Sequence, residues 1–185
     1  MKHFFYFLLA GTIILPVAAQ AQVKLFTKTG TISFHSKTPI ENIYAINNKG
    51  LSVWELSSGK IEFAVLMKGF EFEKALMQEH FNENYVESDQ YPKATFKGTI
   101  NNSNLVLLDA DKSYNLTVSG LLTLHGISKE VSTTVLIVVK NGKIRSSANF
   151  SILLADYKIK IPSLVADNIN KRVDISVVVN AYQHM

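Results

Sequence analysis

EFEKALMQEHFNENYVESDQYPKATFKG, residues 71–98, breaks the rhythm that governs the rest of the chain. Before and after it, apolar and polar residues alternate, the period of strands. Within it, Leu76, Met77, His80 and Phe81 fall on one helical face, and Glu73, Lys74, Gln78, Glu79 and Asn82 take the other. The spacing predicts one short amphipathic helix near residues 72–83, then a polar connection from Asn82 to Gln90. Tyr91-Pro92 follows, and alternation resumes at Ala94. A single helix in an otherwise all-β chain is expected to cover an opening in a barrel, and that opening is where function is expected.

Working outward, Thr31–Ser36, Ile40–Ile46 and Leu51–Leu56 read as strands, the last two joined by a turn at Asn47-Asn48-Lys49-Gly50. Lys60–Gly69 follows a turn at Ser57-Ser58-Gly59 and puts Ile61, Phe63, Val65 and Met67 on one face. Beyond the helix come Ala94–Ile100, a short apolar strand at Leu105–Leu108, and the long Ser113–His125. His125-Gly126-Ile127-Ser128 reads as a hairpin turn into Val131–Lys140. Asn141-Gly142 is the strongest hairpin signal, because a type I′ turn needs positive φ at both central residues. Lys143–Leu154 and Lys171–Tyr182 close the chain. Eight to ten antiparallel strands must either close or stack into two sheets. Long strands closing around one axis predict a mainly β fold, a tall antiparallel barrel of about eight strands with one helix.

The chain has 185 residues and no cysteine, so a single domain must be held by its core rather than by disulfides. Residues 4–19 are uncharged after Lys2 and His3, and Ala19-Gln20-Ala21 fits a signal-peptidase site. Residues 1–21 are therefore expected to be a signal peptide, with a membrane anchor as the alternative, and residues 22–185 the domain. The expected location is periplasmic or secreted, and soluble after removal of the leader. Without Lys2, 18 of the 19 basic residues remain against 15 acidic ones, a net charge of +3. This mild bias leaves room for transient contact with anionic membrane surfaces. Lys and Arg are scattered with no basic run, which argues against nucleic acid.

Three segments carry a family resemblance. They are MQEHFNENYVESDQYPKATFKG (77–98), LTLHGISKEV (122–131) and DYKIKIPSLVADNINKRVDISVVV (156–179). On these the chain resembles the YceI-like family of exported, lipocalin-like lipid-binding proteins, over essentially its whole length past the leader. The resemblance implies an elongated barrel holding an isoprenoid- or fatty-acyl-type chain for carriage, storage or sequestration. It implies no cofactor other than such a lipid. Ile161-Pro162 and Lys171-Arg172 depart from the family's commoner pattern and mark a variant mouth.

The residues agree with that expectation on their own terms. The inward faces supply Phe63, Val65, Met67, Phe96, Leu116, Val118, Leu122, Phe150 and Ile152, and the helix adds Met77 and Phe81. Gly120 lies on the same inward register, where a strand bends, another group approaches closely or a ligand finds room. These same residues would equally fill a solid barrel acting through its outer surface, so only a cavity separates the two readings. The oligomeric state stays open between monomer and homodimer. No nucleophile elbow, phosphate loop or metal-ligand spacing occurs, so no catalytic or metal residue is assigned. An enzyme would need His80 or His125 paired with a carboxylate in a cleft.

Overall fold

The computed structural model describes residues 23–185; the signal-peptide expectation for residues 1–21 lies outside them. Ten strands form one antiparallel sheet: β1 (Lys24–Lys37), β2 (Asn42–Glu55), β3 (Lys60–Leu66), β4 (Glu71–Phe72), β5 (Lys93–Ile100), β6 (Lys112–Leu124), β7 (Ile127–Lys140), β8 (Lys143–Leu153), β9 (Arg172–Val179) and β10 (Gln183–His184). Helix α1 (Ala75–His80) lies between β4 and β5. Strand β1 pairs with β2 on one side and with β9 on the other. The sheet therefore closes into an eight-stranded barrel, with β4 and β10 appended as short edge pairs on β2 and β1. The expected fold class holds.

Several local expectations are corrected. Asn47 to Gly50 is not a turn, because β2 runs unbroken through it. Asn47 is buried and its side chain takes the bonds a turn would have offered: Nδ2 donates to the Leu66 carbonyl at 2.9 Å, and Oδ1 accepts from the Lys49 amide at 2.9 Å. Gly50 faces Gly30 across β1–β2, where the register shifts on both sides of Gly30. Leu105–Leu108 forms no strand; a 3-10 turn, Ser103–Leu105, leads instead into irregular chain. The α-helix is shorter than expected but continues as a π-helical turn, Phe81–Tyr85, in which the Val86 amide reaches back to the Phe81 carbonyl at 3.0 Å. It is also rotated. Leu76 points to solvent, 61% exposed, while Met77, Phe81 and Tyr85 face inward. The cause is the ring of Phe81, which stacks on Phe34 at 5.4 Å and tilts against Phe72 at 5.0 Å.

One end of the barrel is solid. Trp54 is fully buried there, its indole Nε1–H donating to Ser103 Oγ at 2.9 Å, and that hydroxyl donates to the Leu56 carbonyl at 2.8 Å. Tyr182 meets the Trp54 ring edge-on at 5.7 Å, and Leu25, Ile137, Ile144 and Val179 pack around the pair. Leu116, expected in the lumen, packs against this plug instead.

Gly120 is the second correction among the expected lumen residues. It sits directly opposite Gly98 in the β5–β6 ladder. A Cβ at Gly120 would lie 2.3 Å from the Lys97 carbonyl oxygen and 2.4 Å from the Gly98 Cα, so the position admits a neighbouring backbone rather than a ligand. A side chain in a strand interior gains about 0.5–1 kcal/mol over glycine. Backbone overpacking costs about 1–3 kcal/mol and occasionally more, so the clash wins. Gly120→Leu is expected to lower stability by on the order of 2 kcal/mol, measured as a lower urea midpoint at unchanged m-value; a midpoint equal to wild type would show that the strands part without cost.

Candidate functional site

Above the plug the barrel is hollow. A cavity of about 370 Å³ is lined by inward side chains from all eight barrel strands, the size of a small-molecule site. On β8 the lining runs through Ser146, Ala148, Phe150, Ile152 and on to Leu154. Those eight steps at about 3.3 Å span roughly 26 Å of strand, or about 20 Å of axis at the usual barrel tilt. The walls are almost wholly apolar: Ile32 and Phe34 from β1, Phe63 and Val65 from β3, Phe96 from β5, Val118 and Leu122 from β6, and Val173, Ile175 and Val177 from β9.

Ten of the twelve residues expected at the site line this cavity: Phe63, Val65, Met67, Met77, Phe81, Phe96, Val118, Leu122, Phe150 and Ile152. Leu116 and Gly120 do not. The sequence reading missed the aromatic cover, where Phe34, Phe70, Phe72 and Phe81 gather with ring centroids 5.0–5.8 Å apart. These residues come from β1, the turn after β3, β4 and the helix, so no single segment advertises the cluster. It also missed Ser146, Glu41, Tyr85, Ile159, Asn168 and Ile169.

Apart from Thr95 and from Thr133, whose hydroxyl donates to the Asn149 carbonyl at 2.7 Å, the polar lining groups sit at the two ends. At the floor, the Tyr182 hydroxyl lies 3.5 Å from both Ser52 Oγ and Ser146 Oγ. Burial pushes the Tyr182 hydroxyl above the ordinary tyrosine value, partly offset by these two hydroxyls. At the other end, Glu41 joins three elements. Its carboxylate accepts from Lys74 Nζ at 3.1 Å, just before the helix, and from Asn168 Nδ2 at 3.3 Å, in the loop between β8 and β9. Glu41 itself belongs to the β1–β2 turn. Around it Ile43, Met77, His80, Val165, Asn168 and Ile169 line the cavity while keeping contact with solvent, which makes this the mouth.

His125 does pair with a carboxylate, but not in the cavity. Its Nε2 is 2.7 Å from Glu87 Oε2 and its Nδ1 is 2.9 Å from the Tyr157 carbonyl oxygen. Both partners are acceptors. Tyr91 packs edge-on against the ring at 4.5 Å. Neither His125 nor Glu87 lines the cavity, and both ring nitrogens are engaged, so the pair anchors the segment after the helix to the β6–β7 turn rather than offering a base. Among the described residues no group of three His, Asp or Glu side chains could hold a metal ion.

Fold and cavity together define a closed up-and-down β-barrel with a hollow apolar interior and one covered mouth. The chain belongs to the YceI-like domain family, whose model matches residues 20–181. No curated protein sequence matches it. Among solved structures it resembles a polyisoprenoid-binding domain from Saccharophagus degradans implicated in plant cell wall breakdown, with TM-score 0.77 and 15% identity, covering 89% of this chain and 100% of that one. It also resembles Burkholderia cenocepacia BcnA, with TM-score 0.65 and 15% identity over 80% and 94% of the two chains. A Campylobacter jejuni YceI protein aligns with TM-score 0.50 and 16% identity over 100% and 99%.

The buried Tyr182 gives a pH signature. Below the ordinary tyrosine value of 10.0 the hydroxyl is neutral in folded and unfolded chains alike, and its contribution is intact. As pH rises past that value the unfolded chain ionises first, so stability falls until the raised folded value is passed. Tyr85 and Tyr157, also raised by burial, act with the same sign. Urea unfolding between about pH 8 and about pH 11 should show a decline that Tyr182→Phe reduces but does not abolish; parallel pH profiles for the two proteins would refute this account of the floor.

Proposed function

We propose that this chain is an exported, non-catalytic lipid carrier that holds one isoprenoid- or fatty-acyl-type chain in the barrel. The observation that carries this reading is the cavity: almost wholly apolar, closed at the Trp54–Tyr182 floor, and reaching solvent at a mouth beside the aromatic cover. A hydrocarbon chain needs little else from its site. Each CH₂ moved out of water contributes about 0.8 kcal/mol. About ten buried carbons therefore offer on the order of 8 kcal/mol before ordering costs, the micromolar range. The few polar groups at the floor and mouth leave a charged ligand body without partners inside. The polyisoprenoid-binding relative from Saccharophagus degradans, which shares the fold, supports a ligand of this class. Export rests on the leader-like residues 1–21 and places the proposed carrier in the periplasm or outside the cell.

Gently purified protein from the native host should carry one apolar adduct by native mass spectrometry, recoverable by organic extraction. Protein that is stoichiometrically empty and takes up no offered polyprenol or fatty acid would sink the proposal. Ala148 lines the lumen midway along β8, where a larger side chain grows into free space. Ala148→Trp is expected to keep the barrel's circular dichroism and cooperative unfolding while losing the adduct. Unchanged uptake by that variant would place the ligand elsewhere.

A further inference from the structure

Three elements meet at the mouth, and each turns one residue into the cavity and a neighbouring apolar residue out to water. The β1–β2 turn lines the cavity with Glu41 and exposes Ile40 at 66%. The helix lines it with Met77 and exposes Leu76 at 61%. The β8–β9 loop lines it with Val165 and exposes Leu164 at 94%. Glu41 ties the three together through Lys74 and Asn168. Asn170 adds bonds from its amide to Ser36 Oγ at 2.9 Å and from Nδ2 to the Lys37 carbonyl at 3.1 Å. The exposed apolar residues are therefore held in one rim.

The charge around that rim is not evenly spread. From residue 158 to residue 172 the loop carries Lys158, Lys160, Lys171 and Arg172 against the single acid Asp167, and Lys37 stands at the adjoining end of β1. All five bases are exposed, and none forms an ion pair among the described residues. Asp156 and Asp174 flank the loop, leaving five bases against three acids on that side; Glu41 at the mouth is paired with Lys74, and Glu71, Glu73, Glu79 and Glu83 belong to the helical side. The loop side is thus apolar at its tip and basic at its flanks.

We infer that the loop side of this rim docks on an anionic phospholipid bilayer, with Leu164 and Ile40 entering the headgroup layer and the flanking bases facing lipid phosphates. Among the described residues no helix is long and apolar enough to cross a membrane; the contact inferred is with the surface. Apolar insertion and basic attraction are each weak alone and reinforce each other at a lipid interface. Docking here would bring the mouth against the layer that holds a lipid cargo, so the inference rests on the carrier reading and supplies its loading step.

The test is flotation of the full-length gene product, as recovered from its host compartment with its N-terminus read by mass spectrometry. Vesicles are phosphatidylcholine alone or with about one-third phosphatidylglycerol. The protein should float with the anionic vesicles and not the neutral ones, and raising the salt should release it. Lys158→Glu and Lys160→Glu should each weaken binding by about fivefold or more, and Leu164→Ser by roughly tenfold. Leu107→Ser, exposed beside the plug, should change nothing. All these variants should keep the wild-type thermal midpoint and cavity adduct. Equal flotation of wild type and rim variants overturns the inference, as does a rim whose variants alter sedimentation of the protein alone, which would make it a self-association surface. The two readings separate cleanly: protein that holds its adduct but never floats fails the docking inference alone. Protein that floats through its rim but holds no lipid fails the carrier reading alone.

Discussion

Everything in this molecule depends on β1 pairing along both its edges. A sheet of this length left open would present two rows of unpaired amides and carbonyls. Closure removes them, but it requires one strand to leave β10 and join β9 while keeping β2 throughout. Strand β1 makes that change at Gly30, where its register against β2 slips on both sides and Gly50 stands opposite. Side chains at these positions would collide. A Cβ on Gly50 would meet Ile32 Cδ1 at 2.4 Å and the Gly30 carbonyl oxygen at 2.8 Å. The glycine pair is the corner at which the barrel turns on itself.

Closure then decides what the interior is free to be. Backbone hydrogen bonding holds the walls, so the centre need not be filled to hold them apart. At about 24 cal/mol per Å³, a void of about 370 Å³ forgoes at most roughly 9 kcal/mol of packing. That is comparable with the whole net stability of an ordinary domain, about 5–15 kcal/mol. The plug around Trp54 and the aromatic cover offset it at the two ends. The glycines also keep the middle open. The Phe63 ring lies where side chains at Gly30 and Gly50 would project, and the Phe96 ring lies where one at Gly98 would. Phe63 and Phe96 face each other across β3–β5. Two large rings that would otherwise cross the lumen are accommodated against its wall, so a void of this size reads as space kept for an occupant.

The wall of this site was legible in the sequence because a strand's two-residue period assigns each side chain to a face with no knowledge of its neighbours. Phe63, Val65, Phe96, Phe150 and Ile152 needed nothing more. Where a residue's role depends on what lies across from it, the sequence is silent. Asn47-Asn48-Lys49-Gly50 has the composition of a turn, and only the Leu66 carbonyl and Gly30, both distant in sequence, make it strand. Leu116 shares its face with Val118 and Leu122, yet lies low enough on β6 to belong to the plug. Leu76 has the right helical spacing to point inward. The rings of Phe34 and Phe72 draw Phe81 in and turn Leu76 out. The mouth was least legible, since Glu41, Lys74 and Asn168 come from three separated segments.

The cover is held unequally, and this sets which side of the mouth is weaker. On one flank, His125 is only 12% exposed at its side chain and ties Glu87 to the Tyr157 carbonyl, with Tyr91 packed on its ring. Glu87 is itself 49% exposed, so what distinguishes this flank is that one sheltered ring joins both partners at once. On the other flank, Lys74 is 64% exposed at its side chain, so its ion pair with Glu41 is screened by solvent and falls in the range of about 0–1 kcal/mol. The β8–β9 loop is tied to this side by Asn168 at 3.3 Å and by the Asn170 bonds to Ser36 Oγ and the Lys37 carbonyl, but none of these reaches the start of the helix, whose tie to Glu41 is the Lys74 ion pair. The aromatic cluster lies between the two flanks and resists movement of the helix as a whole, but it does not distinguish one flank from the other. The boundary that yields first is therefore the one between the start of the helix and Glu41 of the β1–β2 turn. A chain passing between cavity and surroundings would disturb least by crossing there, beside Lys74 and Glu41 rather than past His125.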